Sequence, residues 1–303
     1  MTDTSFRELY DRLRGSVPWP PHDRRGALNY LGPEQVRAAA AGVTLGRTVS
    51  LAVPVEAQHT ADNPHPARHP MTGTADQAPA AGLSFATDRV EMNVHGNVDS
   101  HLDALCHVMY DGHLYNGVPA GSVTPQGAVE LSVDTVADGI AGRGVLLDIP
   151  RLRGVPWLEP GEHVSAGDLV AAEQAQGVRV GRGDLLFVRV GHRRRRDELG
   201  PWDAASARAG LHPGAMQFVA DRQVAVLGSD SNSDTAGSDT VETEFPVHVL
   251  AINALGVHLL DYLQFEDLIP LCEQEGRWSF LCVIAPLRLA AGTGSPVNPI
   301  AIL

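Results

Sequence analysis

The stretch VHGNVDSHLDALCH, Val94 to His107, gathers His95, His101, Asp103 and His107 in one short run. His101 and Asp103 stand two residues apart, so on an extended segment both side chains project from one face. His107 follows Asp103 by four residues, which favours a strand that turns into a helix and carries His107 back toward the same point. Imidazole and carboxylate together suit zinc or manganese. The stretch therefore predicts a metal site at a strand end, with a simple polar turn as the alternative.

The composition of the 303-residue chain limits the classes of molecule that it is expected to bind. A net charge of −13, with no Lys and 23 Arg, disfavours nucleic acid and anionic membranes, which bind basic surfaces. No apolar run reaches membrane-spanning length, and the acidic N-terminus is not typical of a signal peptide. Cys106, Cys272 and Cys282 lack the paired spacing of a zinc or redox motif, which suits a reducing compartment. We expect a cytoplasmic protein that acts on a small molecule.

Strand and helix patterns alternate through the middle of the chain. Residues 145–149 and 185–190 are short apolar runs typical of buried strands. Between them, residues 165–176 form a helical pattern with Ser165 as its N-cap. Such alternation predicts an α/β fold. Because no linker or repeat is evident, we expect one domain over residues 1–303, with residues 1–45 as an N-terminal helical and extended arm.

Three further segments bear on the site. Residues 83–92 have the pattern of a strand that leads straight into the histidine stretch. Residues 59–81 are rich in Pro and His without periodicity, which favours a solvated flap over the site. The run HRRRRDE, residues 192–198, is interpreted as a solvated loop paired with its own acids, and a grip on a substrate carboxylate is the alternative.

The second informative stretch is FPVHVLAINALGVHLLDYL, residues 245–263. His248 and Asp261 lie on either side of Gly256, so a helix that turns back into a strand could bring both toward one place. A lone histidine on an apolar segment is also typical of a satisfied core residue. Before this stretch, GSDSNSDTAGSDT is a polar loop in which Asp230 is a candidate to face the site.

The segments SHLDALCH and YDGHLYNG resemble the metal-dependent cyclase family, which includes bacterial kynurenine formamidase and isatin hydrolase. The resemblance, to the longer bacterial branch, extends over most of the chain through RGALNYL, GVLLDIPRL, GDLLFVRVG, VLGSDSNSD and GTGSPVNPIAIL. It implies the swivelling β/β/α fold of that family, an α/β architecture of mixed sheets with flanking helices. It also implies a homodimer or homotetramer.

The family signature is His-x-Gly-Thr-His-x-Asp, with a further His four residues after the Asp. The resemblance implies that His101 and Asp103 bind the metal and that His107 is the catalytic acid/base. The departure is at the first position, where this chain has Asn97. His95, two residues earlier, is the candidate to replace the missing ligand.

Family members with two metals also use a downstream His and an acidic residue, which fall near His248 and Asp261. The resemblance thus implies Asp261 as a metal ligand. It implies His248 as a catalytic residue that stabilises an oxyanion, or as a ligand of a second ion. The family acid is Glu, so Asp261 reaches one methylene less far.

These residues predict a metal-dependent hydrolase that uses Zn²⁺ or Mn²⁺. The ion would lower the pKa of a water molecule toward ~7, and His107 would shuttle the proton while an amide or lactone bond is cleaved. A cyclic amide, an arylformamide or a lactone would each suit this chemistry. One alternative is a lyase, dehydratase or cyclase in natural-product biosynthesis that uses the same metal. Another is a non-catalytic metal- or ligand-binding protein whose site has decayed at Asn97.

Overall fold

The computed structural model describes residues 3–77, 82–238, 240, 241 and 243–303, and a mixed sheet of nine strands runs through them. In chain order the strands are β1 Thr48–Ser50, β2 His101–Asp103, β3 Ile140–Asp148, β4 Leu185–Arg189, β5 Val226–Ser229, β6 His258–Asp261, β7 Ser279–Ile284, β8 Gly294–Pro296 and β9 Ile300–Ile302. Their order across the sheet is β1-β9-β7-β3-β4-β5-β6-β2-β8. The α/β architecture predicted from the sequence is confirmed.

The centre of the sheet is parallel and both flanks are antiparallel. Strands β3, β4, β5 and β6 pair in parallel, whereas β2 and β8 add antiparallel strands beyond β6. All five residues of β4 and all four of β5 are buried, as expected for parallel strands that are covered on both faces. The shorter β2 is likewise buried along its length. The sheet therefore carries the residues of β2 and β6 into the protein interior.

Helices flank this sheet. They are α1 Asp3–Ser16, α2 Pro33–Ala41, α3 Ile149–Arg153, α4 Ala166–Gln176, α5 His192–Leu199, α6 Met216–Asp221, α7 Pro246–His248, its π-helical continuation Val249–Leu255, and α8 Ile269–Glu275. Single turns of 3₁₀ helix cover Gly26–Tyr30, Ala75–Gln77, Tyr115–Gly117, Ala120–Ser122, Val133–Val136 and Pro213–Ala215. Short strand pairs join Met71–Gly73 to Thr87–Asp88, Val123–Thr124 to Gly127–Ala128, and His163–Val164 to Gly210–Leu211.

The N-terminal helix packs by an apolar stripe at helical spacing. Phe6, Leu9, Tyr10 and Leu13 are buried, and α1 lies against the π-helical run Val249–Leu255. Tyr10 donates a hydrogen bond from its hydroxyl to Asn253 Oδ1 at 2.7 Å. The predicted N-cap of α4 is also confirmed, because the Ser165 side chain accepts from the Asp168 amide.

Three local predictions were wrong. In the predicted strand of residues 83–92, only Thr87–Asp88 is a strand, and it pairs with Met71–Gly73 instead of the central sheet. Leu83 and Phe85 are exposed, so this alternation does not mark a buried face. The segment 192–198 is a helix, α5, in which two arginines pair with acids one turn on. After β2 the chain makes a turn instead of a helix, with the His107 amide donating to the Ala104 carbonyl at 2.9 Å.

The predicted flap over residues 59–81 lies partly outside the described residues, which stop at 77 and resume at 82. Its three histidines, His59, His65 and His69, are exposed. Within the described part of the chain, no helix is long and apolar enough to cross a membrane.

Candidate metal site

Strand pairing brings the two informative stretches of the sequence together. Strands β2 and β6 run antiparallel, with His101 opposite Asp261 and Asp103 opposite Leu259. Residues that lie opposite each other project from the same face of a sheet, so His101, Asp103 and Asp261 share one face. All three are buried. The proximity of Asp261 to the histidine stretch, expected from the sequence, follows from this register.

The edge strand β8 completes the surroundings of β2. Gly294 lies opposite Asp103, and a Cβ atom at Gly294 would stand 2.4 Å from the Leu102 carbonyl oxygen and 2.8 Å from His95 Cε1. Only glycine allows this approach. Beside it, Thr293 Oγ1 lies 3.0 Å from His95 Nε2. Thr293 and Gly294, from the Gly-rich segment near the C-terminus, thus pack against the histidine stretch.

His101 is oriented by a backbone group outside the site, and His95 is oriented by Asp103. His101 Nδ1 lies 2.8 Å from the Asp99 carbonyl oxygen, so this nitrogen carries the proton and leaves the lone pair on Nε2. That Nε2 is 3.7 Å from Asp103 Oδ1. His95 Nδ1 lies 2.8 Å from the same Asp103 oxygen. A histidine whose far nitrogen is held by a backbone carbonyl is the usual arrangement of a metal ligand.

His248 and Asp261 are held by one loop, residues 232–234. Asp234 accepts from His248 Nδ1 at 2.6 Å, and also from the backbone amides of Val247 and His248. Asp261 accepts from Asn232 Nδ2 at 2.9 Å and from the Ser233 hydroxyl at 2.7 Å. His248 Nε2 consequently lies 3.4 Å from a carboxylate oxygen of both Asp103 and Asp261.

Asp103 is the common member of two groups that could hold a cation. Its ligand atoms and those of His95 and His107 lie within 4.8 Å of one another, and the same holds for His101, Asp103 and Asp261. Asp103 Oδ2 is buried and has no hydrogen-bond partner in the described part of the chain. A carboxylate oxygen left without a donor at a convergence of imidazoles fits a divalent cation.

The pKa values of Asp103 and His248 are shifted in opposite directions. Burial raises the pKa of Asp103, but His107, His248 and His95 outweigh burial and hold that pKa well below its usual value. Burial lowers the pKa of His248, yet Asp103, Asp234 and Asp261 raise it well above its usual value. The surroundings of His248 therefore favour a positive charge at this place.

His107 differs from the other histidines of the site. Its ring stacks on His95, with centroids 3.7 Å apart and planes inclined by 8°. Burial lowers the pKa of His107 to about 4, so the imidazole is neutral near pH 7 and can accept a proton. It faces a pocket of about 750 Å³.

The pocket in front of His107 is formed by three segments. They are residues 95–97, residues 107–110, and residues 243–245 with 248 and 249, joined by His101 and Asn232. Asn97, which stands where the family signature has its first His, lies in this wall. The wall also carries the apolar side chains of Met109, Phe245 and Val249. Among the described residues that line the pocket, none comes from the N-terminal arm or from 59–77.

The structure brings together all six site residues expected from the sequence, His95, His101, Asp103, His107, His248 and Asp261. It adds Asn232, Ser233 and Asp234, which the sequence presents only as a polar loop. Asp230 of the same loop is placed elsewhere, because its carboxylate accepts from the Val190 and Gly191 amides at 2.7 and 2.8 Å. The sequence signal for these three residues was the polar run that follows the buried strand β5. Because an irregular loop has no repeating pattern, the sequence does not show which of its side chains point toward β6.

Known proteins share this fold and sequence pattern. A family model for putative cyclases matches residues 43–234. The crystal structure of a novel cyclase is 29% identical, with a TM-score of 0.86, and the match covers 97% of this chain and 99% of that one. Among curated proteins, no sequence matches significantly.

Two more distant structures share the fold. Isatin hydrolase A from Labrenzia aggregata, bound to benzyl benzoate, is 21% identical, with a TM-score of 0.62 and coverage of 88% of this chain and 97% of that one. A structure described as a predicted metal-dependent hydrolase from Bacillus stearothermophilus is 15% identical, with a TM-score of 0.52 and coverage of 84% and 97%. Since the family model spans well over half of the sequence, the chain belongs to the cyclase family.

Proposed function

We propose that this chain is a metal-dependent hydrolase that cleaves the C–N or C–O bond of a small cyclic amide, arylformamide or lactone. The observation that carries the proposal is the contrast between His107 and the residues around it. His101, His248 and Asp261 are each held by a second protein group, as metal ligands usually are. His107 has no such partner among the described residues, and its ring faces the pocket.

His101, Asp103 and Asp261 would hold the ion, Zn²⁺ or Mn²⁺, together with His95 in place of the ligand lost at Asn97. When bound, such an ion lowers the pKa of a water molecule and polarises a carbonyl group. His248 is close enough to Asp103 and Asp261 to bind a second ion or to stabilise a developing oxyanion. The family neighbours named isatin hydrolases support the reaction class.

His107 would move the proton. As a neutral imidazole it takes a proton from the attacking water while the water oxygen bonds to the carbonyl carbon. The protonated ring then gives that proton to the leaving nitrogen or oxygen as the C–N or C–O bond breaks. The neighbouring Asp103 carboxylate stabilises the imidazolium formed between the two transfers.

The test compares two variants that are exposed to the same metal and then freed of unbound ions. We expect His107→Ala to retain the metal and to lose turnover by about 10²- to 10⁴-fold. Asp103→Ala should lose metal and turnover together, because both donor groups contain Asp103. Metal content and hydrolysis of N-formyl amides, isatins and lactones are the measurements. His113→Ala, an exposed histidine of the same loop, is the control and should behave as the wild type.

Full activity in either His107→Ala or Asp103→Ala would overturn this assignment. Turnover in ¹⁸O-labelled water separates hydrolysis from the related lyase and cyclase chemistries. Hydrolysis places one labelled oxygen in the product, whereas elimination or cyclisation places none. A metal-loaded wild type that is inert toward every substrate of the panel would favour a binding protein.

A further inference from the structure

Arg208 is a buried cation beside the site, only 3% exposed. In the described part of the chain its guanidinium donates to four neutral oxygens. They are the carbonyls of Ala204, Ala205 and Asp234, at 3.0, 3.2 and 3.0 Å, and Asn232 Oδ1, at 3.3 Å. A buried charge usually pairs with an opposite charge, because desolvation is unfavourable. The arrangement of Arg208 therefore calls for an explanation.

The amide of Asn232 connects Arg208 to the site. Its oxygen accepts from Arg208 Nη2 and from the Asp234 amide, the latter at 3.1 Å. Its nitrogen donates to Asp261 Oδ2 at 2.9 Å. Since an amide has one accepting and one donating end, a cation at the oxygen end fixes the NH₂ group toward Asp261. The opposite orientation would set the amide oxygen against a carboxylate.

Asp261 needs this donor in order to hold one orientation. Ser233 binds only Oδ1 of Asp261, through its hydroxyl and its amide at 2.7 and 3.1 Å. Oδ2, the oxygen that lies 3.4 Å from His248 Nε2, is held by Asn232. Without Asn232 the carboxylate could rotate its second oxygen away from the shared face of β2 and β6.

We propose that Arg208 is a positioning residue of the metal site, acting through the Asn232 amide on the Asp261 carboxylate. The inference rests on the proposed function in treating Asp261 as a metal ligand. The backbone of Arg208 pairs separately with Ala236, through amide-to-carbonyl bonds of 3.0 and 3.1 Å. Substitution of the side chain therefore leaves this backbone pairing in place and removes only the guanidinium.

The experiment measures Zn²⁺ and Mn²⁺ dissociation constants by competition with a fluorescent chelator, which needs no turnover. We expect Arg208→Gln to raise the dissociation constant about 10- to 100-fold, as loss of an outer partner of a metal ligand usually does. Asn232→Ala should raise it similarly. The double variant should have a dissociation constant no higher than that of the weaker-binding single variant, because both substitutions interrupt the same series of contacts from Arg208 to Asp261.

Two further variants separate positioning from general stability. Arg208→Lys keeps the charge but not the fork of donors, so it should fold and raise the dissociation constant by less than Arg208→Gln. Arg189 is an equally buried arginine that pairs with Asp148 and Glu266. Arg189→Gln should lower the unfolding midpoint and leave the dissociation constant unchanged.

A wild-type dissociation constant in Arg208→Gln, or losses that multiply in the double variant, would overturn the inference. If Arg208→Gln does not fold, the metal dissociation constants of Arg208→Lys and of its double variant with Asn232→Ala test the inference in the same way. A wild type that binds metal but hydrolyses nothing would overturn the proposed function alone. A wild type that binds neither ion would overturn both.

Discussion

Asp103 occupies a special position among the charged residues of the site, because both candidate donor groups contain it. One oxygen lies beside His95 and His101, and the other lies beside His248. A single carboxylate can thus serve one ion or bridge two. The second group is completed from β6, so its geometry depends on the register between β2 and β6.

His258 is a buried histidine that the proposed reaction does not use. It is fully buried, and neither ring nitrogen has a hydrogen-bond partner in the described part of the chain. Burial lowers the pKa of His258 to about 4. Below its ordinary pKa of ~6.5 this histidine takes up a proton in the unfolded chain but not in the folded protein. The folded state therefore loses stability as the pH falls from ~6.5 toward 4.

We expect His258→Leu to be more stable than the wild type, by about 1 to 3 kcal/mol at pH 7, because an unsatisfied buried polar group is removed. Between pH 7 and pH 5 the wild type should lose about 2 kcal/mol more than the variant. Urea unfolding with chelator at both pH values measures this. His59→Leu replaces an exposed histidine and should keep the wild-type pH dependence. Parallel losses in His258→Leu and the wild type would contradict the argument.

Individual site residues could be predicted from the sequence where their spacing alone determines the face of a strand on which the side chain lies. His101 and Asp103 alternate on an extended segment, which places them on one face whatever the strand pairs with. His95 and Asn97 were ambiguous, because a loop precedes the strand. Asn232, Ser233 and Asp234 were missed for the same reason, since backbone direction in an irregular loop has no period. The Arg208 contacts depend on that loop and could not be foreseen.

At the scale of elements, the arginine run combines two local ion pairs with one long-range contact. Within α5, Arg193 pairs with Asp197 and Arg194 with Glu198, one helical turn apart. Arg196 instead reaches across to Asp62, whose side chain is fully buried. The run was expected to pair with its own acids, which is confirmed for two arginines. Its helical form was missed because the segment lacks an apolar stripe.

We expect Asp62→Asn to lower the unfolding free energy by about 3 kcal/mol or more, because it leaves the largely buried Arg196 without its main partner. Asp197→Asn, at an exposed pair one turn away, should cost at most about 0.5 kcal/mol. Urea unfolding at pH 7 compares the two. Equal losses would show that the Asp62 contact does not anchor residues 53–68 to α5.

The strands show the same division between predictable and unpredictable elements. Residues 185–190 were predicted as a strand because a long apolar run needs burial on both faces, and β4 is observed there. Strands β2 and β8 have three residues each, too few for periodicity to register. Both are defined by their partners in the sheet. The spacing of His101 and Asp103, together with the family resemblance, indicated what β2 carries, but neither gave the pairing of β2 with β6 and β8.

At the scale of the molecule, ion binding should be linked to global stability, because the proposed donors come from residues 95–107, 248 and 261. At a free metal concentration 100 times the dissociation constant, we expect an increase of about 2.7 kcal/mol in the unfolding free energy. Urea unfolding of stripped and reloaded protein is the measurement, and Asp103→Ala should show no increase. An unchanged wild-type curve would argue against a site shared across the sheet. The cytoplasmic location, the homo-oligomer and the single domain stay predictions.

The position of β8 has a consequence for the timing of synthesis. Strand β2 is synthesised before both of the strands that pair with it. Strands β6 and β8 begin only at residue 258 and residue 294. Thr293, which contacts His95, and Gly294, which lies beside Asp103, arrive last of all the site residues. A nascent chain can therefore offer an ion only a partial set of donors. We therefore expect the proposed metal ion to bind only after the sheet is complete.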